Sequence, residues 1–218
     1  MREANTELRA ANANLERLLA ENHELLDAKQ QQYLAVIQGF ALAIDRKDRN
    51  TAQHTERSSH VAELLAMEIG LDDTSKEYLR QGALLHDIGK IGVRDAVLHK
   101  PGGLTDAEWA EIRRHPEIAG EILEQLDLPE TVRHVIVHHH ENVDGTGYPN
   151  GLTADDLPIE TRIMRVADSY DAMTKARAYR SAMPVHAAIA ELRRCAGTQF
   201  CPVVVAAMER LYRAGLLD

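Results

Sequence analysis

The hydrophobic positions of this chain recur with the period of a helix almost everywhere. Residues 1 to about 32 are rich in Glu, Ala, Asn, Gln and Leu and contain neither Gly nor Pro. Leu8 and Leu15 are seven apart, and Asn22 continues the series; Ala11, Leu18 and Leu25 form a second series offset by three. This is an a/d heptad pattern with one polar a position. It predicts a coiled-coil signalling helix over 1–34. Such a helix pairs two copies in parallel and passes a signal from an upstream sensor or receiver domain. A solvated helix packed on its own domain is the other reading of the same residues. From Tyr33 to Lys47 the helix turns apolar (Leu34, Val36, Ile37, Phe40, Leu42, Ile44), which marks entry into a core domain over 35–218.

After a polar break at 45–50, His54 to Ile69 reads as a helix with Val61, Leu64, Leu65 and Ile69 on one face, ended by Gly70. Asp72 to Ser75 offers N-caps for the next helix. That helix is expected to carry His86 and Asp87 near its C-terminal end and to stop at Gly89. Gly82 inside it permits a close helix contact. Lys100 to Gly103 is a loop, and Thr105 to Glu108 is a capping box. Pro116 suits a first helical turn. Two helices follow, about 117–126 and 129–140. Residues 144–151, with three Gly and one Pro, are a turn-rich loop. Pro158 opens a long helix to about Thr174; Pro184 and Pro202 open two more, with Gly197 between them. No alternating pattern is long enough for a sheet, so the fold class is all-α.

Composition narrows the function. A hydrophobic fraction of 44% over 218 residues supplies a core, and an aromatic fraction of 4% favours helices over a β-sandwich. The net charge of -9 argues against duplex nucleic acid as a partner. No apolar run reaches bilayer length and the N-terminus is polar, so a soluble cytoplasmic protein is expected. Cys195 and Cys201 read as small buried residues of a helical tail.

The candidate chemistry centres on His86-Asp87-Ile88-Gly89-Lys90. Charged groups beside apolar sequence need partners, and a metal ion satisfies an adjacent His and Asp together. His54, His115, His139, His140 and Asp168 are further candidate ligands, all near predicted helix ends. Imidazoles and carboxylates without thiolates suit iron or manganese, with zinc also admissible. The two oxygens of a carboxylate can hold two ions about 3.5–4 Å apart. On a helix His139 and His140 point about 100° apart, so they would face different metals, or one would serve outside the ligand set. His23, His60, His99, His134, His138 and His186 lack a companion motif and read as structural or surface residues.

The ordered set His54, His86-Asp87, His115, His139-His140-Glu141, Asp144-Gly145-Thr146-Gly147-Tyr148-Pro149 and Asp168 resembles the HD-GYP family. That family is a subset of the HD-domain metal phosphohydrolases, and the match covers about residues 35–210. The resemblance implies an HD-domain helical bundle that hydrolyses cyclic di-GMP to linear pGpG, and sometimes on to GMP, by attack of a metal-bridging hydroxide. By similarity, His54, His86, Asp87 and Asp168 make one metal site, and Asp87 bridges to a second ion held by His115 and His139, with His140 a further ligand. Lys90 holds the scissile phosphate or its leaving oxygen. Gly147 and Tyr148 line the pocket, Arg177 and Arg180 match the family's basic pair, and Asp48 is a weaker candidate for a guanine edge. Two departures are visible. Members that hold three metals have a Glu where this chain has Asn50, so two divalent ions are expected and not a third. The family's basic residue after His-His-Glu is Asn142 here. The rival reading is a non-catalytic module that binds cyclic di-GMP or a diguanylate cyclase.

Overall fold

A computed structural model describes residues 2–47, 54–175 and 182–217. The chain divides into two compact units, Met1–Gly39 and Phe40–Asp218. The first is part of a single helix, α1 (Arg2–Lys47). In it Leu15, Leu18 and Leu25, three of the heptad positions, are exposed.

Among the described residues the second unit holds the end of α1 and nine further helices: α2 (His54–Ile69), α3 (Asp73–Leu85), α4 (Asp95–Leu98), α5 (Asp106–Arg113), α6 (His115–Ile122), α7 (Glu130–His138), α8 (Ile159–Thr174), α9 (Val185–Arg194) and α10 (Pro202–Arg213). Among the described residues there is no strand, only the isolated bridges Asp144–Thr153 and Ala196–Phe200. The all-α expectation holds. No described helix is long and apolar enough to cross a membrane.

Local chemistry sets most boundaries where expected. The Asp72 carboxylate accepts from Ser75 N at 2.7 Å and caps α3. Thr105 and Glu108 form the full capping box of α5. Gly70, at φ 85°, ends α2 in the left-handed region. Pro158 and Pro184 cap α8 and α9, and Pro202 is the first residue of α10. Helix α8 is the central rod and packs on α2, α3, α7, α9 and α10. Its inner face (Ile163, Met164, Ala167, Tyr170) meets Leu65, Leu79, Ala83, Leu192, Val204 and Met208 in one aliphatic core. Cys195 and Cys201 are buried there as thiols.

Three helices differ from the sequence reading; the first, α6, expected over about 117–126, spans His115–Ile122 because Pro116 sits in its opening turn. Helix α3 stops at Leu85, not at Gly89, and residues Ile88–Gly92 tighten into a 3-10 turn. The turn is pulled onto α6. A Cβ on Gly89 would sit 1.8 Å from His115 O and 2.7 Å from Ala119 N, so only a glycine fits. The Lys47 ammonium holds the far end of the turn through the carbonyls of Ile91 and Val93, at 2.8 and 2.9 Å. Helix α7 ends at His138, so His139 and His140 lie beyond its last turn. The expected close contact at Gly82 is present. A Cβ there would lie 2.5 Å from Val135 Cβ, which lets α3 and α7 approach.

Gly89→Ala should therefore destabilise the chain by about 3 kcal/mol. Thermal unfolding should show a midpoint about 6–12 °C lower. Gly103→Ala, with nothing within 4 Å of the added carbon, is the neutral control.

Candidate metal centre

Side chains from five helices, four of them contributing at an end, converge on one buried point. His54 opens α2, and His86 and Asp87 follow the last turn of α3. His115 opens α6 directly after α5, and His139 and His140 follow α7. Asp168 projects from the middle of α8. Apart from the partly covered His140, all of these residues are buried.

Three imidazoles are held in the same way. His86 Nδ1 lies 2.7 Å from Ala83 O, His115 Nδ1 2.8 Å from Ile112 O, and His139 Nδ1 2.8 Å from Ile136 O. Each His sits just past a helix end, where the last carbonyls lack intrahelical partners. The ring N–H donates to the carbonyl three residues back. That fixes the tautomer and leaves Nε2 as a lone-pair donor aimed inward. The His86 Nε2 is buried and, among the described residues, has no hydrogen-bond partner. An orphaned buried nitrogen is costly unless something else occupies the point it faces.

Asp87 faces both sides of that point. Its Oδ2 is 3.4 Å from His86 Nε2 and 3.9 Å from His54 Nε2, while Oδ1 is 3.4 Å from His115 Nε2. Asp168 reaches His54 Nε2 with Oδ1 at 3.1 Å and approaches His140 Nδ1 with Oδ2 at 3.9 Å. The donors fall into two clusters: His54, His86 and Asp87, then His115, His139 and His140. Within each cluster the ligand atoms lie within 4.8 Å of one another. The His139 and His140 rings are 4.1 Å apart by centroid and join the same cluster, instead of diverging as they would on a continued helix. This set of tautomer-fixed nitrogens and carboxylate oxygens fits divalent cations.

The electrostatics agree. Burial alone would raise the Asp87 carboxyl, but Lys90, His86 and His115 hold it well below the usual range. Lys90 Nζ is 2.7 Å from Asp87 Oδ2. Asp168 is likewise lowered, by His54 and its neighbours against the effect of burial. Burial pushes His115 down to about 4 and drives His139 and His140 well below 6.5, so these rings are neutral at physiological pH and can donate lone pairs. His54 goes the other way: burial would lower it, but hydrogen bonds to Asp168 and Asp171 raise it to about 9. Displacing that proton is part of what a cation must do there.

Asp171, Arg57 and Arg165 were not read from sequence, whereas Glu141, Gly147 and Tyr148 were. Asp171 Oδ2 lies 2.6 Å from His54 Nδ1, and the Arg57 guanidinium donates to both Asp171 oxygens at 2.6 and 3.0 Å. Asp171 is one helical turn from Asp168, the only signal that could have flagged it. Glu141, fully buried, accepts from the backbone N–H groups of Asn150, Gly151 and Leu152 at 2.6, 3.0 and 3.2 Å. It ties residues 144–151 to the histidine pair. Gly147 lies against the Glu141–Asn142 backbone, since a Cβ would be 2.4 Å from Glu141 Cα. Tyr148 stacks on His140 with centroids 4.8 Å apart. Arg165 donates to Asn142 Oδ1 at 3.0 Å, so a cation from α8 stands beside the position where the family carries a basic residue. Asp48, Asn50, Arg177 and Arg180 fall outside the described residues, and the expectations placed on them stay as sequence readings.

An all-helical unit with buried His and Asp side chains gathered as paired cation donors defines a metal-binding helical domain. An HD domain family model matches residues 15–204, and the chain belongs to that family, which implies divalent-metal binding. Among its relatives is the 3'3'-cGAMP-specific phosphodiesterase 3 of Vibrio cholerae, 38% identical over 80% of this chain and 38% of the relative. Another is the cyclic di-GMP phosphodiesterase response regulator RpfG of Xanthomonas campestris, 39% identical over 89% of this chain and 51% of the relative. The chain thus spans two-fifths to one-half of these relatives. Its fold matches a cyclic GMP-AMP-specific phosphodiesterase structure from V. cholerae at TM-score 0.64, with 17% identity over 82% of this chain and 48% of that one. An HD-GYP-type protein from Bdellovibrio bacteriovorus matches at TM-score 0.61, with 21% identity over 75% of this chain and 54% of that one. The resemblance read from the motifs therefore stands.

Asp171 orients His54 without being placed to touch the cation. Asp171→Asn should weaken metal retention by about 10- to 100-fold, read by competition with a chelator, with the helical circular dichroism retained.

Proposed function

We propose that this chain is the catalytic part of a metal-dependent cyclic dinucleotide phosphodiesterase that opens cyclic di-GMP to linear pGpG. The observation that carries the reading is the sharing of Asp87 between two donor clusters, with oxygens on opposite sides. In this reading His54, His86, Asp87 and Asp168 would hold one divalent ion, and Asp87, His115, His139 and His140 would hold a second. Iron or manganese suits the donor set. Two such ions supply Lewis acidity at the phosphate and lower the pKa of a water.

The protein's own groups do the rest. The depressed carboxyls of Asp87 and Asp168 stay ionised throughout the neutral range. Lys90, beside Asp87, directs its ammonium at the phosphate or the leaving oxygen and offsets the charge that develops there. The new bond joins a water oxygen to phosphorus, one ring P–O ester bond breaks, and the proton balance ends on the departing hydroxyl. Gly147 and Tyr148 form the rim against which the dinucleotide rests. Arg177, Arg180 and Asp48 remain proposed contacts by resemblance.

A second substrate has support. Relatives named for 3'3'-cGAMP stand beside those named for cyclic di-GMP. Chromatography of products from both dinucleotides, with elemental analysis of anaerobically purified protein, tests the reading. Wild type should yield linear dinucleotide, and Asp87→Ala should lose both bound metal and turnover. Nucleotide binding without product would instead identify a non-catalytic module.

We also infer that α1 pairs with a second copy. The exposed Leu15, Leu18 and Leu25 at heptad spacing support this. Leu18→Asp with Leu25→Asp should convert a dimer to a monomer in sedimentation equilibrium; a wild-type monomer at micromolar concentration would remove the inference.

A further inference from the structure

A cleft of about 560 Å³ opens beside the metal centre, between α5 and the loop after Glu141. Its walls include Trp109, Arg113, Tyr148 and Pro149. Trp109 and Arg113 are four apart on α5 and so share a face. The Arg113 guanidinium lies over the Trp109 ring at 6.0 Å and over the Tyr148 ring at 5.5 Å. Tyr148 in turn stacks on His140. A row of planar groups therefore runs from the surface to a member of the second donor cluster. An i,i+4 cation–π pair is common on helix surfaces, but here the pair borders a cavity. Trp109 is 48% exposed. Among the described residues the Arg113 guanidinium takes no hydrogen bond or ion pair, and its donors are unspent.

We propose that Trp109 and Arg113 form a purine subsite of the proposed dinucleotide hydrolase, with Arg113 selecting guanine. This rests on the functional reading above and adds the residues that choose the base. A cavity of this size holds a nucleotide-sized group. The indole offers a stacking face, which any purine accepts. Guanine presents two acceptors, O6 and N7, on one edge, whereas adenine presents an acceptor and a donor. Arginine is donor-only and forked, so it matches the guanine edge and meets an unmatched amino group on adenine. Tyr148 is the shared wall, so a base seated here lies within a nucleotide's reach of a phosphate at the metal centre.

The chain has one tryptophan, which gives a direct readout. Cyclic di-GMP mixed with the metal-loaded chain should quench the intrinsic fluorescence of Trp109 before turnover. Saturation binding measured by equilibrium dialysis with unchanged emission would overturn the subsite, whether or not the chain hydrolyses the ligand. Trp109→Ala should raise KM for cyclic di-GMP about 10- to 100-fold, with metal content as in wild type, and Trp109→Phe should restore most of the loss. Arg113→Gln should shift the kcat/KM ratio of cyclic di-GMP to cyclic di-AMP about 5- to 100-fold towards adenine. An equal loss on both dinucleotides would make Arg113 a phosphate clamp and overturn base selection. A wild-type chain that is quenched by cyclic di-GMP but releases no product would sink the hydrolase reading and keep the subsite.

Discussion

The structure depends on one electrostatic constraint. Two carboxylates and a set of imidazoles are buried at one point, and they satisfy each other only in part. Asp87 and Asp168 carry charge into a low-dielectric interior, where an unpaired charge costs several kcal/mol. Lys90 and a protonated His54 offset part of it. Among the described residues His86 Nε2 has no hydrogen-bond partner. The three Nδ1–carbonyl bonds hold the lone pairs inward at some cost to the metal-free protein. A bound cation converts that cost into binding energy, because the ligands need little reorganisation to receive it.

The rest of the domain can be understood as what brings helix ends together. Histidines held by terminal carbonyls must lie at termini, so α2, α3, α5 to α6 and α7 all end or begin at the same place. That crowding demands close backbone approach, and Gly89 and Gly82 supply it where a methyl group would collide with α6 or with Val135. The aliphatic core around α8 then sets the direction of each helix. The polar centre and the apolar core are joined by α8 itself, with Ile163, Met164 and Ala167 on one side and Asp168 and Asp171 within the same two turns.

Much of this was legible in the sequence. The ligand residues announce themselves by type and by clustering at predicted helix ends, and the Asp72 cap, the Thr105–Glu108 capping box and the prolines mark real boundaries. What escaped depended on three-dimensional placement. Asp171 looks like any acid one turn from another, and only the position of α2 makes it the partner of His54. Helix α3 appeared to run to Gly89 because periodicity does not see α6, which captures the backbone there. A continued helix would turn His139 and His140 about 100° apart, but α7 stops at His138 and both imidazoles fall in one cluster. Trp109 and Arg113 carry no motif at all; their relation to Tyr148 exists only once α5 and the loop are folded beside each other.

The Glu141 carboxylate has a wider implication. By gathering the N–H groups of Asn150, Gly151 and Leu152, it splices the loop that bears Tyr148 to the residue next to His140. Rim and ligand thus form a single mechanical part. Variation in the loop is transmitted to the metal centre, so drift there is hazardous. Helix α5 fixes His115 through the Ile112 carbonyl, but among the described residues its Trp109–Arg113 face has no such hydrogen-bonded tether to the histidine pair, and on that face such a scaffold can diversify its choice of ligand while leaving the cation cage intact.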